Sequence, residues 1–89
     1  MTTQEPPKLE YPCDYPIKVM GLNESDFARA IIEVIRRHDP GFNAANVALR
    51  ASRNEKYLSV TATITATSPE QIADLFQELK ATGRVEMVL

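Results

Sequence analysis

The stretch from residue 57 to residue 65 alternates strictly between apolar and polar side chains, and this pattern constrains the fold more than any other feature of the chain. A period of two is the side-chain period of a β-strand and is incompatible with a helix. The stretch therefore predicts a strand in a sheet that is buried on one face and open on the other. The apolar positions are Leu58, Val60, Ala62 and Ile64.

Three further stretches have the same period of two, at residues 14–20, 47–52 and 85–89. Within the first of them, Pro16 has no amide hydrogen, so we expect the strand to be unpaired on one side at that point. Gly21 is expected to end this first strand. In the last stretch, the alternation predicts one face formed by Val85, Met87 and Leu89.

Two stretches have the hydrophobic period of an α-helix. The first runs from Phe27 to His38, and Asn23 or Ser25 is positioned to cap its N-terminus. The second follows Ser68, which begins a capping box, and Gly83 is expected to end it in the left-handed conformation.

The predicted order is β-α-β-β-α-β, which is typical of an α+β fold of the ferredoxin-like class. Two right-handed β-α-β crossovers would interleave into a two-layer sandwich, with an antiparallel sheet of strand order 4-1-3-2 and both helices on one face. The second and last strands would be exposed edges, where a homodimer could form by strand pairing. The alternation predicts that the open face presents Lys18, Met20, Arg50, Ser59, Thr61, Thr63, Glu86 and Val88.

The 89 residues are enough for one small domain. Residues 1–12 hold three of the six prolines, so we expect a flexible N-terminal arm there and a single domain over residues 13–89. The N-terminal residues lack the apolar stretch of a signal peptide, and no segment has the roughly 20 apolar residues of a membrane span. We therefore expect a cytoplasmic protein without a membrane partner.

No group of residues has the pattern of a catalytic or metal site. The single histidine, His38, falls in the last turn of a predicted helix, where a positive charge suits the helix dipole. The single cysteine, Cys13, has Glu10 and Asp14 beside it, and their charges disfavour a reactive thiolate. One cysteine also provides neither a disulfide nor a soft-metal pair. We expect no enzymatic activity, no metal and no cofactor.

Single-stranded RNA binding on the open face is the alternative hypothesis. Sheets of this topology that bind RNA stack bases on aromatic side chains of the central strands, whereas the third strand here offers Ser59 and Thr61, with Tyr57 as one platform. The net charge of −2 provides no surplus of cations for phosphates. The basic residues that this alternative would use, Arg50, Arg53 and Lys56, are explained more simply by a solvated hairpin turn. We therefore do not expect a nucleic-acid partner.

Two sets of residues are candidates for binding. The backbone at Gly21 can approach a small ligand closely, next to the free amides of a helix N-terminus. If so, a bulkier residue at Gly21 should remove the effect of the ligand and leave the fold intact. The candidate small-ligand site is Met20, Gly21, Leu22 and Asn23. The candidate partner contacts on the open face are Lys18, Arg50, Tyr57, Ser59 and Thr61.

Five short motifs occur in an order and spacing that match a known family. They occupy residues 18–21, 37–41, 57–61, 76–79 and 85–89. On these motifs the chain resembles the small bacterial YbeD family, a group of uncharacterised proteins once labelled proposed lipoate regulatory proteins. The similarity covers about residues 9–89. In many members a glycine stands where this chain has Glu55, so we expect Asn54 to take the left-handed conformation in the turn instead.

The resemblance implies a fold similar to the ACT regulatory domains, which bind small metabolites, often across a dimer. It also implies a suggested link to lipoate metabolism, and it carries no catalytic residues. We therefore expect a non-enzymatic regulatory or adaptor domain that binds a small metabolite or a protein partner.

Overall fold

The computed structural model describes residues 10–89, so residues 1–9 of the predicted N-terminal arm lie outside the described residues. The division into an arm over residues 1–12 and a domain over residues 13–89 stays a prediction. The described elements follow the predicted order: β1 (Cys13–Leu22), α1 (Phe27–His38), β2 (Val47–Ala51), β3 (Tyr57–Ala66), α2 (Pro69–Ala81) and β4 (Val85–Val88). A short 3₁₀ helix, Ala44–Asn46, precedes β2.

The four strands form one antiparallel sheet in the order β2-β3-β1-β4. This is the predicted 4-1-3-2 order seen from the other edge, so the predicted ferredoxin-like sandwich is confirmed. β1 and β3 pair along their whole length and form the centre of the sheet. The helices pack on one face of this centre, and the largest fully buried side chains there are Ile17, Val19, Phe27, Ile31, Ile35, Val60, Ile64, Leu75 and Leu79.

β1 is longer than predicted, because it continues through Gly21 to Leu22, which pairs with Tyr57. The expected gap at Pro16 is present. The amide of Lys18 donates to the carbonyl of Leu89 at 3.0 Å, on the side of β4. The nitrogen of Pro16, two residues earlier, therefore faces the same side, beyond the described pairing of β1 with β4.

The N-terminus of α1 differs from the prediction. Its cap position is Asp26, whose side chain makes no capping hydrogen bond, so the expectation of Asn23 or Ser25 as cap is wrong. The side chain of Asn23 donates instead to the carbonyl of Glu55 at 3.0 Å, in the turn between β2 and β3. The carboxylate of Asp26 accepts from Arg84.

Both ends of α2 agree with the prediction. The Ser68 hydroxyl accepts a hydrogen bond from the amide of Gln71 at 3.1 Å, as in a capping box. Gly83, two residues beyond the helix, has a φ of 73°, which is the left-handed conformation that glycine adopts without strain.

The turn between β2 and β3 places Glu55, with a φ of 59°, in the left-handed conformation, so the expectation for Asn54 is wrong. The Asn54 side-chain oxygen accepts from the Ser52 hydroxyl at 2.9 Å and from the Lys56 amide at 3.1 Å. These bonds hold Asn54 in an Asx-type turn, and the next residue completes the reversal.

β4 contains an irregularity that the alternation did not predict. Gly21 pairs with Val85, but its neighbour Met20 pairs with Met87. Glu86 is therefore an extra residue on β4, and the strand has a β-bulge at this point.

The bulge changes the face on which the last residues of the chain lie. Val88 pairs with the buried Val19 and packs against the core, so its predicted place on the open face is wrong. Met87 lies on the open face, and so does Leu89, which exchanges two backbone hydrogen bonds with Lys18.

Candidate interaction face

The face of the sheet that points away from the helices, here called the open face, presents side chains in rows across the strands. Three such rows lie at the end of the sheet where β1 leads into α1. The first pairs Tyr57 with Leu22. The second runs Arg50, Ser59, Met20, Met87, and the third runs Ala48, Thr61, Lys18, Leu89.

Large apolar side chains are exposed on the β1–β4 half of this face. Leu22, Met87 and Leu89 are exposed at 43%, 49% and 67%, and Met20 between them is half-buried. We call these four residues the apolar patch. Among the described residues one further large apolar side chain, Leu49, is comparably exposed, and it lies on the helix side of β2. Contiguous exposed apolar surface is typical of an interaction site.

Cations lie beside the apolar patch. Arg50 is exposed in the second row, and Lys18 is exposed in the third. The Nζ of Lys56 lies 5.4 Å from the centre of the Tyr57 ring. We call Lys18, Arg50 and Lys56 the cationic rim. No ion pair formed within residues 10–89 includes any of the three. Within the described part of the chain, no carboxylate neutralises these three charges.

The predicted partner contacts all lie on this face, but their side chains differ in solvent exposure. Lys18, Arg50 and Thr61 are exposed, and Tyr57 is half-buried. Ser59, between Arg50 and Met20 in the second row, is only 8% exposed, so it forms the floor of the face.

The predicted small-ligand residues divide between the two faces of the sheet. Met20 and Leu22 belong to the apolar patch. Gly21 faces the helices, and a β-carbon at this position would lie 2.5 Å from Cε1 of Phe27 and 2.3 Å from the carbonyl oxygen of Arg84. The space next to Gly21 is therefore filled by the protein itself.

Asn23, the fourth member of that predicted set, has structural hydrogen bonds. Its backbone amide donates to the carbonyl of Lys56 at 2.9 Å, and its side chain donates to that of Glu55 at 3.0 Å. Both bonds hold the β2–β3 turn against the end of β1. Met20 and Leu22, from the predicted small-ligand site, thus share one surface with the predicted partner contacts. Gly21 lies beneath this surface, and Asn23 lies beside it.

Polar clusters on the helix side were not predicted, because their members are far apart in sequence. Glu78 on α2 accepts from Arg37 and lies 2.7 Å from the Nε2 of His38, both in the last turn of α1. The hydrogen bond with His38, followed by that with Arg37, holds the pKa of Glu78 below its ordinary value. This cluster joins the two helices.

A second cluster surrounds Arg84, which donates to Glu24 and to both carboxylate oxygens of Asp26. The hydrogen bond from Arg84 lowers the pKa of Asp26. The guanidinium carbon also lies 5.8 Å from the centre of the Phe27 ring. The cluster fixes the segment before β4 to the start of α1.

Residues 10–89 form no cavity that would enclose a small molecule. In the same part of the chain, no three side chains of His, Cys, Asp or Glu come together as a metal site would require. The described helices are too short or too polar to cross a membrane.

Residues 6–89 match a family described as "Protein of unknown function (DUF493)". A relative named "UPF0250 protein" from Ectopseudomonas mendocina is 51% identical over 86 residues, which cover 96% of this chain and 94% of the relative. Another, from Azotobacter vinelandii, is 48% identical over 89 residues, which cover 99% and 97%. These relatives confirm the resemblance to the YbeD family.

Two solved structures have the same fold. The solution structure of protein HP0495 from H. pylori has a TM-score of 0.76 at 18% identity, with 99% of this chain and 98% of that chain covered. The crystal structure of the ACT domain from a GTP pyrophosphokinase of Chlorobium tepidum has a TM-score of 0.66 at 17% identity, with 85% and 94% covered. The expected likeness to ACT domains is confirmed at the level of the fold.

Proposed function

Because the chain belongs to the DUF493 family and has an ACT-like sandwich, we propose that it is a regulatory or adaptor domain that binds a segment of a partner protein on its open face. The observation that carries this proposal is the apolar patch, whose leucine and methionine side chains are exposed beside the cationic rim. Covering apolar surface of this kind is favourable by roughly 25 cal/mol per Å².

The shape of the surface supports a protein segment over a small metabolite held by one copy of the chain. Small ligands bind in clefts that enclose most of their surface. The open face is the exposed side of a sheet, and the position next to Gly21 is filled by Phe27. A flat apolar area with a polar border resembles a protein–protein contact.

The link to lipoate metabolism enters the proposal from the family resemblance alone. It indicates where a partner should be sought first, among the proteins that make or attach lipoate. The binding surface described above is independent of that link.

Single-stranded RNA remains the second candidate, because the cationic rim lies beside an aromatic ring on the open face. Anisotropy measurements with a short oligouridine at two salt concentrations test it. Salt-sensitive binding that is lost in Arg50→Glu would favour RNA over a protein partner.

The proposed function is tested with a double variant, Met87→Ser with Leu89→Ser, and with Leu49→Ser as the matched control. Leu49 is as exposed as the two patch residues but lies on the other side of the sheet. Proteins captured from a lysate of a source bacterium are identified, purified and titrated against all three chains. We expect one purified partner to bind the wild type and the control and to lose affinity for the double variant. Equal binding to all three would refute the proposed function.

A further inference from the structure

We infer that the partner segment is acidic as well as apolar, with carboxylates that meet the cationic rim and aliphatic side chains that cover the apolar patch. This inference rests on the proposed function and specifies the chemistry of the occupant. It comes from the position of Lys18 and Arg50 in the same rows as the apolar patch.

Cations without an ion-pair partner among the described residues occur on both layers. On the helix side Arg37 and Arg84 are each paired with carboxylates, whereas Arg29, Arg36 and Lys80 join no ion pair among residues 10–89. On the open face Lys18 and Arg50 have no such partner among residues 10–89. What distinguishes Lys18 and Arg50 is their position beside the apolar patch, and the net charge of −2 does not report this local arrangement.

The register places apolar and cationic groups within reach of one short segment. Met20 lies between Arg50 and Met87 in the second row, and Lys18 follows in the third row on the same strand. Neighbouring strands are about 4.8 Å apart, and alternate residues on a strand are about 6.7 Å apart. A segment of fewer than ten residues can therefore contact the patch and the rim together.

A second copy of the chain is a poorer occupant, because it would bring its own cations against the same surface. Asp14 is on the open face of β1, but it lies in the row of Thr65, at the end of the strand far from the patch. Glu86 is exposed at the bulge on the β4 edge. Neither carboxylate forms an ion pair with the rim within the described residues.

RNA is also a poorer occupant, because nucleotide bases stack on aromatic rings. The exposed side chains of the patch are aliphatic or thioether groups. The ring of Tyr57 is half-buried, and the ammonium group of Lys56 already lies over it. Aliphatic side chains of a peptide match this surface better.

The inference is tested by selection from a displayed library of random peptides of about ten residues, a length that crosses the sheet at about 3.3 Å per residue. We expect the enriched sequences to combine Asp or Glu with Leu, Ile, Val or Phe. The affinity of one selected peptide is then measured by fluorescence anisotropy. We expect the double variant Lys18→Glu with Arg50→Glu to bind this peptide at least about tenfold more weakly, because the reversed charges repel the carboxylates of the peptide.

Arg36→Glu is the matched control, because Arg36 is an exposed cation on α1 that joins no ion pair among residues 10–89. We expect it to leave the affinity unchanged. Circular dichroism of each variant shows whether the fold is kept. Higher salt should weaken the wild-type complex, since its charges are partly exposed to solvent.

The outcomes separate the inference from the proposed function. Enriched peptides that lack acidic residues but depend on Met87 would overturn the inference and leave the proposed function standing. The absence of any peptide whose binding depends on the patch would overturn both. Tight binding of oligouridine would identify RNA as the occupant of the open face. A dimer in sedimentation that Met87→Ser dissociates would identify a second copy of the chain as the occupant. Either result would refute the inference.

Discussion

A β-carbon on Gly21 would lie 2.5 Å from Cε1 of Phe27, so β1 and α1 touch at this point without room for a side chain. The glycine is the second-last residue of β1, and the first residue of α1 packs into the core against it. From the sequence alone, a bulkier residue at Gly21 is expected to leave the fold intact. The geometry leads us to expect a loss of stability instead.

Gly21→Ala should therefore lower the free energy of unfolding by roughly 1–3 kcal/mol, since the Phe27 ring and the Arg84 carbonyl must both move. Gly41→Ala is the control, because a β-carbon there has no atom within 4 Å. We expect the control to be unchanged or more stable by up to about 1 kcal/mol. Urea unfolding measures both, and equal stability of the two variants would contradict the close contact.

The bulge in β4 predicts that substitutions at two neighbouring residues differ in their cost to stability. Val88→Ser should lower the free energy of unfolding by about 1 kcal/mol, because Val88 packs against the core opposite Val19. Met87→Ser should change it by less than about 0.5 kcal/mol, because Met87 is on the open face. Chemical unfolding of the two variants checks the register, and the reverse order would support an unbroken alternation.

Glu78 should contribute stability that disappears in acid. Its pKa is lowered in the folded protein, chiefly by the hydrogen bond with His38, from an ordinary value of 4.5. A carboxyl group with a lowered pKa stabilises the fold above its unfolded pKa, and this contribution is lost as the pH falls through the folded value. The stability difference between the wild type and Glu78→Gln should therefore be present at neutral pH and shrink as the pH falls below about 4.5.

Glu33→Gln is the control for this measurement, because Glu33 is exposed on α1 and takes part in no ion pair of the described residues. Urea unfolding at several values of pH gives the comparison. A wild-type advantage over Glu78→Gln that stays constant down to pH 3 would argue against the assigned role of His38 and Arg37.

Glu55→Gly should stabilise the turn between β2 and β3. A side chain at a φ of 59° costs about 1 kcal/mol or more, and glycine removes this cost at some loss of chain entropy. We expect a net gain of up to about 1 kcal/mol in thermal or urea unfolding. Arg53→Gly, in the same turn but without a positive φ, should instead be neutral or slightly destabilising. A loss of stability in Glu55→Gly would show that the strain is small.

Much of the fold could be predicted because the spacing of apolar residues within each element indicates which of its side chains are buried. The alternation of β3 predicted that Val60 and Ile64 are buried and that Thr61 is exposed, and the structure agrees. The capping box at Ser68 and the glycine at Gly83 predicted both ends of α2. Such patterns depend on neighbours in sequence, so they need no knowledge of the rest of the molecule.

The candidate surface could be predicted only in part. Alternation alone placed Lys18, Met20, Arg50 and Thr61 on the open face, but Met20 and Leu22 were assigned to a separate small-ligand site. Met87 and Leu89 were expected on the opposite side, because no pattern within residues 85–89 reveals a bulge. The extra residue exists only relative to the partner strand.

The sequence by itself determined the order of elements, the faces of the central strands and the ends of α2, because hydrophobic period and capping chemistry act over a few residues. The tertiary structure alone decided the register of β4, the Glu78 cluster and the contact between Gly21 and Phe27. Each of these joins residues that are distant along the chain, and their positions follow from how strands pair and helices pack. The apolar patch beside the cationic rim results from strand pairing, which brings together side chains from three strands and a turn.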